Sequence, residues 1–599
     1  MEEDMIEIEL DQESGNDADT DSANSVDLSQ NCESSSDEDN EPLMNIAARE
    51  LCKGINWDED LDPDDIDDAD IADIPDFNFV EPRWGTKLRG IDIPVFTGTE
   101  AAKVPDYFNE ESTQPHEYFG LFFNTDIFDM IVRSTNMYAK YCIALKRCKN
   151  ESYVDHEWEG KELSVVELRA YIGICIVMGL QPSKNIEQIW SNHALLCNEG
   201  IKNIMTIRRF KKISEYLHIS DREKELPRES AHYDKLCKVR PAMDIFLVNF
   251  QKFYKNAEHQ TIDEAIIKYK GRVTYIQYIP IKPIKRGIKL FCRNCSKTGY
   301  LYDAQVYLGR QGNKQAKGVY DRVILDLTKS LEGNSHTLYV DNLYSNVPLY
   351  LKLLERRVYC CGTVRRMRQF LPAECRLDYT GKNIWPRGKS KIWQDKGQRN
   401  LTCTMWSDTK HIRFLSTSTD PTIVTHGTRR IKGIHTQVDM PLAAQMYGAY
   451  MGGTDKHDRL RLCYAVGRTS LKAWKYIFWF FVNASVVNSW IVYQNFSARQ
   501  VKKKKYTHFD FRHDLAVGLI GGYSSRKRSS TTTNYSIESL ESTLAMAHEN
   551  GKITAKGTKR CKGHKKFKPD GNACKQTVYG CIQCNVPLCK ECHYPWHSK

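Results

Sequence analysis

Three aspartates in this chain sit where chemistry at phosphorus needs carboxylates. Asp263 follows Gln260-Thr261-Ile262, Asp341 closes the apolar run Thr337-Leu338-Tyr339-Val340, and Asp455 follows Met451-Gly452-Gly453-Thr454 at a helix entrance. Two strand ends and one helix can bring such groups to a point. Mg²⁺, or Mn²⁺ in its place, prefers oxygen ligands and keeps several waters, so a few Asp side chains hold it without enclosing it. Two such ions about 3.5–4 Å apart stabilise the attacking and leaving oxygens of an in-line displacement at phosphorus. A single Asp after a strand is an ordinary turn residue; the joint setting of the three is what points to a metal site. Asp458, three positions past Asp455, shares its helix face and is either a further acidic contributor or the partner of Arg461.

A second set of residues lies at the carboxyl end. Cys561 pairs with His564, Cys581 with Cys584 and Cys589 with Cys592, each at a spacing of three, with His593 and His597 behind. Thiolates and imidazoles at such spacing are the ligands of a tetrahedral, borderline-soft ion, so these eight positions predict two Zn²⁺ sites, interleaved, with the first and third pairs sharing one ion. Cys574 is either a spare thiol or a substitute ligand. The segment holds too little apolar content to fold without metal.

The elements that must position these groups are legible in outline. His116 to Tyr138 and Val165 to Gly179 have apolar residues at helical spacing. Met205 to Leu217 reads as a basic helix with Arg208, Arg209, Lys211 and Lys212, either a solvated face or a DNA contact. From Thr261 the pattern turns to strands, with Ile288 to Cys292 and Tyr300 to Leu308 following the first aspartate. A helix over Tyr320 to Leu327 comes next, then the strand ending at Asp341, a helix over Val347 to Arg356 and a strand at Val358 to Val364. That order predicts an α/β sheet with helices on both faces. Residues from about 365 to 435 are polar and basic, with short strands at Leu401 to Trp406 and Ile412 to Thr417, and read as an inserted β-rich subdomain. Tyr476 to Tyr493 is eighteen residues without a charge, near the length that spans a bilayer. It holds Asn483, Ser485, Asn488 and Ser489, so it reads as a buried helix and no membrane span is expected.

Composition bounds the class. A chain of 599 residues should hold several domains, since single cores seldom exceed about 250–300 residues. The net charge of +9 hides an asymmetry: residues 1–80 carry 28 Asp or Glu against Arg49 and Lys53, a net −26, which leaves +35 on the remainder. A body that basic suits a polyanion such as nucleic acid. The acidic head, with runs such as Asp64-Asp65-Ile66-Asp67-Asp68, cannot bury enough apolar surface to order itself and is expected to be disordered. It is either a solvating tail or an arm that competes with DNA and is tuned by phosphorylation of its serines. The first thirty residues lack the basic and apolar regions of a secretory signal, so the twenty cysteines are expected to stay reduced or bind metal.

Four stretches carry a resemblance. They are Thr261-Ile262-Asp263-Glu264 with Lys270-Gly271-Arg272; Tyr278-Ile279-Pro280-Ile281-Lys282-Pro283 with Gly287-Ile288-Lys289; Val340-Asp341-Asn342 with Tyr344-Ser345; and Tyr450 through Asp458. In these the chain resembles the piggyBac-family transposases, from about His116 to the end. The resemblance implies an RNase H-like catalytic core with a three-aspartate metal site falling on Asp263, Asp341 and Asp455, and an additional motif acid on Asp458. Such enzymes nick transposon ends, form and reopen a hairpin, and join the ends to TTAA sites.

Carried onto this chain, the resemblance divides it into a disordered acidic region (1–95), a helical dimerisation and DNA-binding domain (96–258 and 459–535), and a catalytic domain (259–368 and 434–458). An insertion (369–433), a linker (536–552) and a zinc finger (553–599) complete it. It implies a homodimer acting on double-stranded DNA in the nucleus, with Lys502 to Lys505 and Arg526-Lys527-Arg528 as import or phosphate-binding patches. Where family members commonly have two cysteines in the first zinc pair, this chain has Cys561 and His564. The basic run Lys565-Lys566-Phe567-Lys568 is either a phosphate contact of the finger or a solvated loop. Three functions stand at this point: a competent transposase, a host DNA-binding protein derived from one, and a RING-like ubiquitin-ligase module built on the finger.

Overall fold

The computed structural model describes residues 77–98, 102–496 and 506–525, except 184, 281, 283, 310–317, 378–384, 398, 432 and 468–469. Toward the carboxyl end it describes 550–552, 558–563, 576–581, 586–589, 592–593 and 596. The acidic head up to 76 and the basic clusters at 502–505, 526–528 and 565–568 lie outside the described residues.

One sheet organises the molecule. Its central strands are β2 (His259–Lys268), β4 (Arg286–Cys295), β5 (Leu301–Val306), β6 (Thr337–Val340) and β7 (Tyr359–Thr363), after β1 (Trp84–Gly85), with β3 (Ile276–Tyr278) on the β4 edge. β2, β4 and β5 pair antiparallel, whereas β6 and β7 run parallel to β2. The two crossovers into the parallel strands are helices, Val319–Leu327 before β6 and Val347–Glu355 before β7, as such connections require. Ile324, Leu338, Leu349, Leu353 and Val358 from these units fill the core between sheet and crossover helices.

The segment read as an insertion does not stand apart from this sheet. β8 (Ser390–Asp395), β9 (Thr402–Ser407) and β10 (His411–Ser416) form an antiparallel bank, and β10 pairs with β7, so the sheet extends through them to ten strands. The ribbon of β11 (Val424–Ile431) and β12 (Ile434–Pro441), by contrast, makes a sheet of its own. Residues 77–95, expected to belong to the disordered head, are also ordered. Trp84 and Gly85 pair with Asp395 and Gln394 of β8, the Trp84 indole donates to Phe370 O at 2.8 Å, and Arg399 reaches back to Val80 O at 2.8 Å. Aromatic side chains account for this: Phe79 packs on Phe370 with ring centroids 4.8 Å apart.

The opposite face of the sheet carries helices from both sides of the chain. Pro115–Phe122, Thr125–Lys149, Val165–Leu180, Ile207–Tyr216 and Arg240–Lys252 precede it, and Ala473–Phe496 and His508–Ile520 follow. Their starts are set locally: the Asn124, Ser164 and Thr206 side chains each accept a backbone N–H of the first turn. The uncharged helix Ala473–Phe496 has the length and apolarity of a membrane span, yet 94% of its apolar window is buried inside the protein. Its amides explain how an interior helix keeps polar groups. Asn488 exchanges hydrogen bonds with both backbone groups of Leu301 (3.0 and 2.9 Å), and Asn483 does the same with Val466 (2.8 and 2.7 Å).

Candidate active site

The parallel pairing of β2 with β6 ends at Ile262 opposite Val340. Asp263 and Asp341 are therefore the next residues on two adjacent strands, whose spacing is about 4.8 Å. Asp341 leaves its strand there and turns, accepting the Leu343 N–H at 2.8 Å, while the Ser345 hydroxyl donates to its carbonyl at 3.0 Å. Asp263 does not end its strand, contrary to the sequence expectation. β2 runs on to Lys268 against β4, and the opening at Asp263 arises because its parallel neighbour stops.

The third aspartate arrives on the helix Gly453–Cys463. Two glycines let this helix lie close to the sheet. A Cβ on Gly453 would stand 2.9 Å from Cys295 O and 3.0 Å from Thr261 Oγ1, and one on Gly299, whose φ is +77°, would stand 3.0 Å from His457 N. Around them the first turn is tied down: Thr454 donates to Asn294 at 3.0 Å, Lys456 to Ser296 O at 2.8 Å, and His457 Nδ1 lies 2.9 Å from Gly299 O. Asp455 thus sits in the first turn, where the helix dipole favours negative charge, and is exposed.

Carboxylate oxygens of Asp263, Glu264 and Asp341 all lie within 4.8 Å of one another. Burial, then the negative charges of Glu264, Asp341 and Asp455, push the Asp263 carboxyl well above its ordinary range, against the opposing Lys282 ammonium. Glu264 goes the other way. Burial pushes it up, but Lys289 at 3.1 Å and Lys282 at 3.6 Å, with the Tyr344 hydroxyl, hold its carboxyl down at about 2. Asp263, Glu264 and Asp341 offer converging carboxylate oxygens, with the Asp455 charge also acting on Asp263, and such oxygen donors fit a hard divalent cation. Glu264 stands in the first motif, yet sequence reasoning does not count it among the site residues, because side chains alternate along a strand and the neighbour of Asp263 should face away. Asp458 makes the ion pair that one of its two sequence readings names: it binds Arg461 at 2.8 Å, and that guanidinium also lies over Phe480.

In the carboxyl-terminal segment the sulfurs of Cys561, Cys589 and Cys592 lie within 4.8 Å of one another, joining the first and third sequence pairs. The Cys589 N–H donates to Cys561 Sγ at 3.2 Å, and Cys581 is buried in the same small cluster with Leu588. Burial, then Cys589 and Cys561, push the Cys592 thiol up to about 12, a repulsion that a thiophilic cation among the three sulfurs would relieve. Three converging thiols fit zinc. His593 follows Cys592 in the same turn, while His564, Cys574, Cys584 and His597 lie outside the described residues.

The basic helix Ile207–Tyr216 is mostly spent on the fold. Arg209 is buried against Glu167 at 2.6 Å, Lys212 pairs with Asp155 and Glu215, and Lys211 pairs with Glu187. Arg208 is the one of the four without an ion pair among the described residues.

Comparison with known proteins places the chain that carries this mixed sheet and its carboxylate cluster in a transposase family. The family model described as Transposase IS4 matches residues 114–490, which take in all three aspartates, and the chain belongs to that family, among its piggyBac transposases. It is 25% identical over 450 residues to piggyBac transposable element-derived protein 5 of Homo sapiens, covering 73% of this chain and 81% of that protein. With piggyBac transposable element-derived protein 3 of Homo sapiens it shares 22% identity over 523 residues, 86% of this chain and 81% of the relative. Its fold matches a piggyBac transposase synaptic complex with hairpin DNA, solved by cryo-EM, at a TM-score of 0.61 and 21% identity, covering 83% of this chain and all of the other.

Proposed function

We propose that this protein is a DNA transposase that cleaves transposon ends, passes through a hairpin and joins the ends to TTAA sites. The observation that carries the reading is the convergence of Asp263, Glu264 and Asp341 within 4.8 Å, with Asp455, on the helix Gly453–Cys463, near enough for its charge to act on Asp263. Asp263, Asp341 and Asp455 would hold the divalent ions, Mg²⁺ or Mn²⁺, which supply charge to the attacking and leaving oxygens of an in-line displacement. The protein's own part is placement. The turn at Asp341 and the tied first turn of Gly453–Cys463 fix two carboxylates from different elements, and the Glu264 contacts with Lys289 and Lys282 fix the floor beneath Asp263. Asp458 pairs with Arg461 on the same helix, and that guanidinium packs over Phe480 of Ala473–Phe496, which helps seat the helix that bears Asp455.

The strand order β5-β4-β2-β6-β7, antiparallel and then parallel with helical crossovers, supports an RNase H-like core within the sheet. On this reading the surrounding helices of 96–258 and 459–535 dimerise and bind DNA. The finger, with two Zn²⁺ on Cys561, His564, Cys581, Cys584, Cys589, Cys592, His593 and His597, recognises transposon ends, and the protein works in the nucleus. The names of the human relatives, which call them element-derived, favour a second reading in which the chain binds DNA as a host protein without transposing.

One experiment separates the two. The full chain is incubated with Mg²⁺ and a plasmid carrying the DNA that flanks its own coding region. Nicks at the element boundary followed by hairpin ends are expected of the transposase, and binding without any strand break would replace it with the host-protein reading.

A further inference from the structure

Away from the carboxylates, a cavity of about 750 Å³ opens among the helices Pro115–Phe122, Thr125–Lys149 and Arg240–Lys252 and the strand-like segment before them. Its volume falls in the range of small-ligand sites, about 300–1,000 Å³. Lys103, Arg169 and Lys252 line it against one carboxylate, Glu117, which already accepts the Gln114 N–H at 2.6 Å. None of the three cations makes an ion pair among the described residues. The backbone forces two of them together: Ala102 bridges Tyr254, and the Lys103 N–H donates to Phe253 O at 2.9 Å, which seats Lys103 beside Lys252 and Phe253.

Aromatic rings form part of the remaining wall, beside Val104, Pro105 and Leu121. Tyr107 lies at the cavity 77% exposed, with Phe108 5.2 Å behind it between ring centroids, and Phe253 lines the wall as well. Cation and ring already meet here: Lys252 Nζ lies over the Phe253 ring, 5.0 Å from its centroid, and the Arg169 guanidinium over Phe128 at 5.1 Å. A phosphate alone would use the cations and leave the rings idle.

We propose that this cavity binds a nucleotide unit, with its phosphate on Lys103, Lys252 and Arg169 and its base against Tyr107 and Phe253. The two sources of that chemistry are a free mononucleotide and an unpaired nucleotide of a DNA strand. The inference is independent of the carboxylate reading, since it concerns binding on the helical side and no strand is cut in its test.

The test uses the full-length protein without divalent metal. Binding of dAMP, of inorganic phosphate and of a fluorescent single-stranded tetranucleotide is measured by titration on the wild type, Tyr107→Ala, Lys103→Gln and Lys252→Gln. All three changes fall on exposed side chains and leave the core untouched. Stacking of one base contributes about 1–3 kcal/mol, so Tyr107→Ala is expected to weaken the base-bearing ligands about tenfold and leave phosphate unchanged. Each Lys→Gln change should weaken all three ligands. On the tetranucleotide it should also flatten the slope of log affinity against log salt by about 0.7 for each phosphate no longer neutralised. Equal affinity for dAMP and tetranucleotide assigns the site to a free nucleotide; preference for the tetranucleotide assigns it to single-stranded DNA. Failure of the wild type to bind either, or binding that neither Tyr107→Ala nor Lys252→Gln alters, overturns the proposal.

Discussion

At the scale of residues, the site is defined by which carboxylates are indispensable and which are supports. Asp263→Asn, Asp341→Asn or Asp455→Asn removes one charge from the cation site, a loss of several kcal/mol at the transition state. Each is expected to reduce Mg²⁺-dependent nicking at least a hundredfold while end binding stays within a few-fold. A single mutant that nicks at more than a tenth of the wild-type rate would remove its aspartate from the site. Asp458→Asn should behave differently, because Asp458 binds Arg461 at 2.8 Å. It is expected to cost thermal stability and activity in parallel, and an unchanged melting temperature with abolished nicking would restore it to the ligand set. The settings of the three aspartates can be read in the sequence in part: Asp341 closes a recognisable strand and Asp455 lies in the first turn of a recognisable helix, whereas the strand that holds Asp263 runs on to Lys268. Glu264 cannot be read there: its involvement depends on how the β2 edge opens beyond Val340, and no local pattern reports where a neighbouring strand stops.

Among elements, the helix Gly453–Cys463 does the most with the least freedom. Gly453→Ala would put a methyl 2.9 Å from Cys295 O, so the first turn must lift and carry Asp455 with it. Misplacement of about 1 Å in a catalytic group can cost a hundredfold in rate. The variant is expected to lose nicking by that order with only a small shift in melting temperature, and the two are measured on one preparation. In the finger, metal analysis of the full chain should give about two Zn²⁺, and Cys589→Ser should remove one, since Cys589 sits among the three converging sulfurs. A zinc content near zero in the wild type would take the finger out of the mechanism. Most elements were readable from periodicity, for example Val319–Leu327 and Thr337–Val340. What they join was not. β10 pairs with β7 across the sequence that separates them, and such pairing is a property of the assembled sheet, so the bank β8–β10 read as a separate insertion when it extends the same sheet.

For the whole molecule, the separation of charge is the governing feature: an acidic head on a body carrying +35 beyond residue 80. If the head competes with DNA for that surface, a chain lacking residues 1–76 should bind duplex more tightly at low salt, with the gain shrinking as salt rises. A salt-independent change would exclude competition. A cut at 76 keeps Phe79, which packs on Phe370.

That packing has a bearing on solubility. A bare edge strand offers a row of unpaired N–H and C=O groups that recruits strands from other chains. β8 is the last long strand on its side of the sheet, and the short β1 lies over part of it. A chain shortened to begin at residue 99 would keep Asp263, Asp341 and Asp455 and every helix of the core, yet would uncover Gln394 and Asp395 as a free edge. It should form higher-order species by light scattering at concentrations where the chain begun at residue 77 stays dispersed.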